Sequence, residues 1–394
     1  MTAADGVQCT VCASTALVSE LPFGPQPPSN TLTMPGAPPE PRYPLTLGHC
    51  TQCGTIQLTE RMPIEALRPA HGWLTNNEPE GHLDELAREI SRLAGIDRNA
   101  RVLGATYKDQ STIARLQRLG FARSDTIAPE TLGAAEPFGL ETIQALLSDT
   151  TTTKRLRSVY GAADVLIARH ILEHATTATD FIRSMSSMLS DDGVLVLELP
   201  DSDRTIRAGN HAFIWEEHIS YFTASSFRRA AAEAGATVIW FGRYRYAYED
   251  SLVAVLRFGR DSAEAVPSED PAAMLREFAA SFDDARSSWR TRIEELRDTR
   301  GAVAIFGAGH LTAKFINFLN LGDILDCVLD DDPRKHGMLM PGSRLPVFSS
   351  NELAARQIRA CISTLSPESE AKVRVRLAPF FEAGGLFVPA FATT

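Results

Sequence analysis

The sequence has a deficit of basic charge and no long apolar run. It contains 39 Lys and Arg residues against 49 Asp and Glu residues, which gives a formal net charge of -10. Because no stretch is rich in Lys and Arg, we expect neither a nucleic-acid-binding surface nor a surface for anionic membranes. No apolar run approaches the roughly 20 residues that a membrane span needs. Residues 1–6 show neither a basic patch nor an apolar core, so no export signal is visible and we expect a cytoplasmic protein.

The remaining composition is ordinary for a globular protein. Hydrophobic residues make up 44% of the 394 positions and charged residues 22%. A chain of this length is too long for one hydrophobic core, and we expect two or three domains.

Cysteine is scarce, but four of the six cysteines form two hooks, Cys9-x2-Cys12 and Cys50-x2-Cys53. Two such hooks can place four thiolates tetrahedrally around a zinc ion, and Gly54 permits the tight turn that the second hook needs. Because all four ligands would be thiolates, the predicted site is closed and structural. Four unligated thiols or a labile disulfide pair are the alternatives, and a reducing compartment disfavours the disulfide.

Prolines crowd the segment between the two hooks, at positions 22–28 and 35–44. We expect extended, irregular chain here, in a small domain that is stabilised by metal rather than by a large core. A proline-rich recognition ligand is the alternative. The other two cysteines, Cys327 and Cys361, have apolar neighbours and are predicted to be packing residues.

Strand and helix patterns alternate after Glu80, where apolar residues first recur at helical spacing. The predicted strands are 101–105, 163–168, 194–199, 237–240 and 251–258, and the predicted helices are 111–119, 179–189 and 225–234. Asp192 and Gly193 are predicted to form a turn before the third strand. This alternation predicts a doubly wound α/β domain, in which ligands bind at the carboxyl ends of the strands.

A second α/β unit follows one long predicted helix over residues 269–299. The unit starts with a strand at 302–306, followed by Gly307-Ala308-Gly309 and a helix that begins near His310. A strand, a Gly-x-Gly turn and a helix can hold an anion at the helix N-terminus. The third glycine of the dinucleotide pattern is missing. A nicotinamide site, a phosphate or nucleotide-sugar contact and a purely structural turn all remain open.

The stretch from Trp215 to Phe222 holds two carboxylates, one imidazole and three large aromatic residues in eight positions. Aromatic walls lower the local dielectric constant, and a neighbouring carboxylate can orient an imidazole. This combination suits a histidine that removes a proton from a carbon acid near neutral pH. The alternative is a buried segment whose polar groups satisfy each other.

Several motifs together resemble the sugar C-methyltransferases that build branched deoxysugars on nucleotide carriers. They lie at residues 43–58, 163–174, 192–200, 306–309, 330–337 and 341–346. The resemblance covers nearly the whole chain and implies an α/β fold in three parts. These are a zinc-binding domain at 1–60, a doubly wound class I methyltransferase-like domain at 61–262, and a linking helix with a Rossmann-like α/β domain at 263–394.

The resemblance also implies the chemistry and its residues. A methyl group would pass from S-adenosylmethionine (SAM) to a carbon next to the keto group of a nucleotide-linked deoxysugar. His218 would be the base, Glu217 its orienting partner, and Tyr221 a contact to the sugar or to its neighbours. The implied SAM contacts are Thr106, Asp109, Ala128, Arg169 and His170. The implied substrate contacts are Trp73, Trp215, Glu216, Gly307, Gly309 and His310. The implied zinc ligands are Cys9, Cys12, Cys50 and Cys53.

The sequence departs from this family at several positions. Trp215 and Glu216 replace a tyrosine and a histidine, and residues 249–251 replace a Gly-Gly-Ser loop. Thr106 and Gln110 replace glycines that let the backbone approach SAM, and Ala128 replaces the acidic residue that holds its ribose. Two further hypotheses therefore stand beside a SAM-dependent C-methyltransferase. One is a sugar-nucleotide enzyme that moves protons without methylating, as in epimerisation, isomerisation or elimination, and the other is a non-catalytic scaffold.

Overall fold

The computed structural model describes residues 6–68, 71, 78–133, 139–259 and 271–391. Trp73, a predicted substrate contact, lies outside these residues. The described chain forms three β-sheets, of four, six and five strands. None of its described helices is both long enough and apolar enough to cross a membrane.

The N-terminal part is a small antiparallel sheet. Its elements are β1 (Leu17–Gln26), β2 (Tyr43–Cys50), β3 (Ile56–Glu60) and the short helix α1 (Ile64–Leu67). The prediction of irregular chain at residues 22–28 was wrong for residues 22–26, which lie in β1 and pair with β2. Two register shifts in this pairing, one of them between Pro22 and Gly24, accommodate prolines that cannot donate to a regular ladder.

The central part is a six-stranded mixed sheet with helices on both faces. The elements of this stretch of the chain, among which the short strand β8 belongs to the N-terminal sheet, are α2 (Leu83–Arg92), β4 (Val102–Gly104), α3 (Gln110–Arg118), β5 (Ser124–Thr126), α4 (Pro129–Leu132), α5 (Leu140–Leu147), α6 (Thr150–Tyr160), β6 (Ala163–Arg169), α7 (Ala178–Ser186), β7 (Leu189–Asp201), α8 (Ser202–Arg207), β8 (Ser220–Tyr221), α9 (Ala224–Glu233), β9 (Ala236–Tyr244) and β10 (Asp250–Phe258). The strand order is β5-β4-β6-β7-β10-β9. The strands from β4 to β7 are parallel, and β10 is antiparallel to both of its neighbours. This is the predicted doubly wound α/β arrangement.

Alternate residues of the central strands enter two separate cores. Val165 and Ile167 of β6 pack beneath α2 and α3, whereas Leu166 and Ala168 pack beneath the helices of the opposite face. The period of two follows from the pleat of the strand. The turn predicted at residues 192–193 was wrong, because β7 runs without a break from Leu189 to Asp201.

Strand β8 does not join the central sheet. It extends the N-terminal sheet instead, where Tyr221 pairs with Ile56 and Ser220 with Gln57. The aromatic stretch that precedes and includes β8 therefore lies between the N-terminal and central parts of the molecule.

Two helices, rather than one, link the central part to the last sheet. They are α10 (Pro271–Ala280) and α11 (Phe282–Arg300), and they meet at Ser281. The predicted apolar face is present: Leu275, Phe278 and Phe282 are buried in a core shared with the N-terminal and C-terminal sheets. The helices therefore connect these layers through packing.

The last part is a parallel five-stranded sheet. Its elements are β11 (Val303–Phe306), α12 (His310–Leu319), β12 (Cys327–Asp330), β13 (Val347–Ser349), β14 (Ala360–Ser363), α13 (Pro367–Arg376), α14 (Ala378–Glu382) and β15 (Leu386–Pro389). The order β13-β12-β11-β14-β15 reverses direction at β11, as in a doubly wound Rossmann-like sheet. Cys327 and Cys361 are buried in its core, which confirms their prediction as packing residues.

Candidate active site and zinc centre

The two cysteine hooks meet in space. The Sγ atoms of Cys9 and Cys53 lie 3.4 Å apart, and those of Cys12 and Cys50 lie 3.6 Å apart. All four sulfur atoms lie within 4.8 Å of one another, and none forms a disulfide. Sulfur atoms at about 2.3 Å from a tetrahedral zinc ion lie about 3.8 Å apart, so this arrangement fits zinc closely.

Gly54 shapes the second hook, as its position predicted. Its φ angle is +76°, and its N–H donates to the carbonyl of Cys50 at 2.8 Å. A Cβ atom here would also lie 2.8 Å from Pro271 at the start of α10. The glycine therefore serves both the metal turn and the packing of the linking helix.

The loop that carries His218 is fixed at both of its ends. Pairing of β8 with β3 holds Ser220 and Tyr221. The N–H of Trp215 donates to the Tyr221 hydroxyl, which in turn donates to the carbonyl of Trp215, both at 2.8 Å. The Tyr221 hydroxyl is thus occupied by backbone, and the predicted sugar contact is replaced by a role in holding the loop.

The His218 side chain lies among aromatic rings and remains partly exposed. Its ring centroid is 4.9 Å from that of Trp215 and 5.0 Å from that of His174, whose ring is perpendicular to it. Burial, followed by the charges of His174 and His310, holds the pKa of His218 well below its usual value. The ring is therefore neutral at neutral pH and can accept a proton.

The Glu216 carboxylate has its polar contacts within the protein. The N–H of Ser29 donates to Glu216 Oε1 at 2.5 Å and the Ser29 hydroxyl donates to it at 2.8 Å. Lys314 of α12 forms an ion pair with the other carboxylate oxygen, and both side chains are 1% exposed. A buried carboxylate requires such partners, and here they take up the group that was predicted to contact substrate.

Glu217 has a partner other than the predicted one. Its Oε1 atom accepts a hydrogen bond from Asn30 Nδ2 at 2.7 Å. Burial, then the nearby Glu216 and Glu141, raise the pKa of Glu217 well above its usual value. The proposed orientation of His218 by Glu217 therefore gains no support from the geometry.

Trp215 and His310 join the central and C-terminal parts. Their rings stack at 4.3 Å with an angle of 15°, and the indole N–H donates to the Ser29 hydroxyl. One face and the polar edge of Trp215 are therefore covered, although it was predicted to contact substrate. The same stacking brings the N-terminus of α12 next to the His218 loop.

The Gly-Ala-Gly turn before α12 is only partly free to bind an anion. Gly307 has a φ angle of +103°, which favours glycine. The N–H of Gly307 donates to Leu329, and that of Ala308 donates to Asp330 Oδ2 at 2.6 Å. A Cβ atom at Gly309 would meet no atom within 4 Å, so open space lies beside this residue.

The turn after β4 forms without the glycines of the family. Thr106 has an extended backbone (φ -141°, ψ 174°) and Gln110 a helical one, so neither position strains a larger residue. The Thr106 side chain caps the 3-10 helix Tyr107–Asp109 by accepting from the N–H of Lys108. The substitutions at 106 and 110 are therefore compatible with the strand–turn–helix shape of a SAM site.

Asp109 links two backbone segments, and its predicted contact to SAM stays a prediction. It is fully buried, and its carboxylate accepts from the N–H groups of Thr106 (2.7 Å) and Arg169 (2.8 Å). Burial raises its pKa to about 7, against the lowering effect of these hydrogen bonds. Asp109 thereby joins the turn after β4 to the end of β6.

Three other predicted SAM contacts also have partners in the protein. Arg169 is 2% exposed and its Nε donates to Glu198 at 2.6 Å, while His170 Nε2 lies 3.1 Å from the same carboxylate. Ala128 precedes α4, and its N–H donates to the Tyr160 hydroxyl. His170 has a φ angle of +51°, so the chain turns sharply where β6 ends. These groups shape the carboxyl edge of the sheet, and their contacts to SAM stay predictions.

Sequence reasoning did not single out Glu173, His174 and Lys314, which the structure places beside the His218 loop. Glu173 and His174 lie shortly after β6, at the edge where ligands bind, and a Glu-His pair there was an available signal. Lys314 was the one Lys or Arg residue of its helix. Both patterns indicated buried polar groups, but neither identified the residues that these groups contact.

Family models match three consecutive stretches of the chain. A zinc binding domain matches residues 9–67, a methyltransferase domain matches residues 70–239, and a C-methyltransferase C-terminal domain matches residues 260–391. Together they support zinc and SAM as cofactors, in agreement with the cysteine cluster. The domain limits inferred from the sequence stay predictions.

One curated relative and two solved structures are similar to parts or most of this chain. C-methyltransferase NovU from Streptomyces niveus is 21% identical over 409 residues, with 97% of this chain and 94% of NovU covered. An O-methyltransferase family protein from Burkholderia thailandensis is 17% identical (45% of this chain, 56% of that chain, TM-score 0.30). The CcbJ methyltransferase from Streptomyces caelestis is 13% identical (48% and 100%, TM-score 0.31).

Structural similarity at such low TM-scores supports no conclusion about this chain. The relationship to C-methyltransferases is supported by the family models and by NovU. The order of three matched domains is also the order of the three sheets. The chain therefore carries a zinc-binding domain, a SAM-dependent methyltransferase domain and a C-methyltransferase C-terminal domain, and it is similar to a C-methyltransferase over nearly its whole length.

Proposed function

We propose that the protein methylates a carbon next to the keto group of a nucleotide-linked deoxysugar, and that His218 removes the proton from this carbon. The position of the His218 ring carries the proposal. It is a partly exposed imidazole on a loop held by backbone pairing, between the methyltransferase sheet and the start of α12. A proton acceptor on a rigid loop suits a reaction in which positioning supplies much of the rate.

The proton step requires an unprotonated base and a stabilised enolate. The lowered pKa of His218 keeps its ring neutral before the reaction, but it also makes the ring a weak base. The negative diphosphate of a nucleotide sugar would oppose this effect by favouring the imidazolium. His218 would then hold the proton while SAM, when bound, supplies the methyl group to the carbon.

The SAM side of the reaction would lie at the carboxyl edge of the central sheet. Thr106 and His170 mark the ends of β4 and β6 there, and ligands of doubly wound sheets bind at this edge. His174 lies just beyond β6 and contacts the His218 ring. The proposed base and the proposed cofactor edge are therefore neighbours.

The nucleotide side would involve the C-terminal sheet. Its strand order reverses at β11, and the Gly307–Gly309 turn follows that strand. Open space beside Gly309, one residue from the Trp215–His310 stack, leaves room for a ligand close to His218. This arrangement supports a substrate whose sugar reaches His218 while its carrier contacts the C-terminal domain.

The test is mass spectrometry of a panel of thymidine-, uridine- and guanosine-diphosphate keto-deoxysugars, incubated with SAM and the purified chain. We expect a mass increase of one methyl group in one of them, and deuterium uptake at the same carbon in heavy water without SAM. His218→Gln should abolish both signals, and His218→Ala should recover part of them with added imidazole. Calorimetry should detect SAM binding in the wild type and in both variants.

Full activity in His218→Gln would refute the role of His218. Deuterium uptake without any methyl transfer or SAM binding would instead favour proton transfer alone, the second hypothesis from the sequence. Methyl transfer to a small molecule that carries no nucleotide would refute the substrate class.

A further inference from the structure

Glu173, His174 and His218 form a second cluster of potential metal ligands, separate from the four cysteines. One ligand atom from each of these residues lies within 4.8 Å of the other two. The two histidine rings are perpendicular, at 89°, with centroids 5.0 Å apart. Perpendicular rings at this distance can direct one nitrogen each toward a common point.

Two members of the cluster are buried without the hydrogen bonds that such groups normally have. Glu173 is 2% exposed and His174 is 3% exposed. Among the described residues, both carboxylate oxygens of Glu173 and the Nδ1 atom of His174 lack a hydrogen-bond partner. Leaving polar groups buried and unpaired is costly, so each such group in a folded protein needs an explanation.

The Nδ1 atom of His174 is the ring nitrogen without a hydrogen-bond partner among the described residues. A neutral imidazole carries its proton on one nitrogen and a lone pair on the other, so Nδ1 can present a lone pair to an ion when the proton is on the other nitrogen. Metal-binding histidines commonly bind the ion through one ring nitrogen and donate the other N–H to a protein group.

Charges of both signs act on the cluster. The carboxylates of Glu249 and Glu78 act on Glu173, as does the opposing charge of Lys108. Lys108 is itself paired with Glu78. His170 Nδ1 lies 3.8 Å from Glu173 Oε1, which is too far for a hydrogen bond and leaves this oxygen available.

We infer that Glu173, His174 and His218 bind a divalent transition-metal ion such as Co²⁺, Ni²⁺ or Zn²⁺. Two imidazoles and one carboxylate suit such ions, and three protein ligands leave one position open. Bonds of about 2.0–2.2 Å require ligand atoms about 3.4 Å apart in a tetrahedron, so the side chains would close by at most about 1.4 Å.

The ion would regulate the site of the proposed function. A ring nitrogen of His218 that binds metal cannot take a proton, so the ion and the proton would compete for it. We therefore expect the bound ion to inhibit methyl transfer. This consequence, unlike the binding site itself, depends on the proposed role of His218.

Binding is tested by equilibrium dialysis of the zinc-loaded full chain against Co²⁺, with visible absorption to report the coordination. We expect one Co²⁺ per chain beyond the zinc of the cysteine site. Glu173→Gln and His174→Ala should each lose this ion while they keep one zinc. His336→Asn, a histidine variant in the C-terminal domain, is the control and should keep both ions. A wild type that binds no second ion, or variants that still bind it, would overturn the site.

Regulation is tested by adding Co²⁺ to the methyl-transfer assay and removing it briefly with EDTA. We expect at least a tenfold inhibition that the chelator reverses and that Glu173→Gln abolishes. Activation by Co²⁺ through the same residues would overturn the inhibitory role, and with it the role of His218 as base, while the metal site itself would stand. Binding without any effect on activity would overturn the regulatory part alone.

Discussion

The buried ion pair between Lys314 and Glu216 provides a direct test of how the C-terminal domain supports the active-site loop. Both side chains are 1% exposed. Lys314→Met keeps most of the aliphatic stem and removes the ammonium group, whose Nζ atom lies 5.3 Å from the centre of the Phe318 ring. The Glu216 carboxylate then keeps its two hydrogen bonds from Ser29 but loses its cation.

Removal of one partner from a buried pair typically costs about 3–5 kcal/mol, because the remaining charge is left uncompensated. At a slope of about 2–3 kcal/mol per molar urea, the unfolding midpoint should fall by roughly 1–2 M. Urea unfolding at pH 7.5, followed by tryptophan fluorescence, measures this change. Trp215 lies next to Glu216 and reports on the same loop.

The double variant Lys314→Met with Glu216→Gln removes both charges and should recover much of the lost stability, because Gln can still accept from Ser29. Arg92→Met is the control: its pair with Glu89 is exposed, and exposed pairs contribute little. A fall of less than about 1 kcal/mol in Lys314→Met would refute the argument that this pair holds the loop to α12.

Three further predictions concern the other parts of the site. Cys50→Ser should lose its zinc by metal analysis and should lower the melting temperature, because a structural zinc site contributes folding free energy directly. Tyr221→Phe leaves the backbone N–H and C=O of Trp215 without their partner, and we expect a loss of about 1–3 kcal/mol in urea unfolding together with a lower methyl-transfer rate. The raised pKa of Asp109, about 7 in the folded chain, means that the folded state binds more protons than the unfolded state between about pH 4 and pH 7. Its contribution to stability should therefore fall as the pH rises through this range, and Asp109→Asn should flatten that dependence in pH-resolved unfolding. An unchanged zinc content, a fully stable Tyr221→Phe or an identical pH profile would contradict these three predictions in turn.

The alternation of elements and the spacing of the cysteines could be predicted because both are local patterns. A strand exposes alternate residues to its two faces, so apolar runs such as residues 163–168 identify a buried strand without any tertiary information. A Cys-x2-Cys hook likewise encodes half of a metal site in four residues. The sheets of the structure and the close approach of Cys9 to Cys53 agree with what these local patterns predict.

Irregular details were harder to predict because they depend on neighbouring elements. Asp192 and Gly193 are typical turn residues, and they lie where the pairing of β7 with β6 shifts its register, yet the strand continues through them. Residues 22–26 are rich in proline, yet pairing with β2 makes them a strand with register shifts. In this second case, tertiary pairing outweighed the local preference.

The roles of the polar residues around His218 could not be deduced from the sequence alone. The stretch from Trp215 to Phe222 suggested a functional histidine, and the family resemblance implied Glu217 as its orienting partner. In the structure, Glu217 contacts Asn30, Glu216 contacts Lys314, and His218 contacts His174. Each of these partners comes from a different part of the chain.

The sequence by itself therefore determined the fold class, the zinc-binding hooks and the segment that carries the candidate base. The tertiary structure alone decided which carboxylates are structural, which histidines share a site, and how α12 supports the loop. The physical reason is that a local pattern depends on residues a few positions apart, whereas the environment of a buried charge depends on the side chains that packing brings from distant segments.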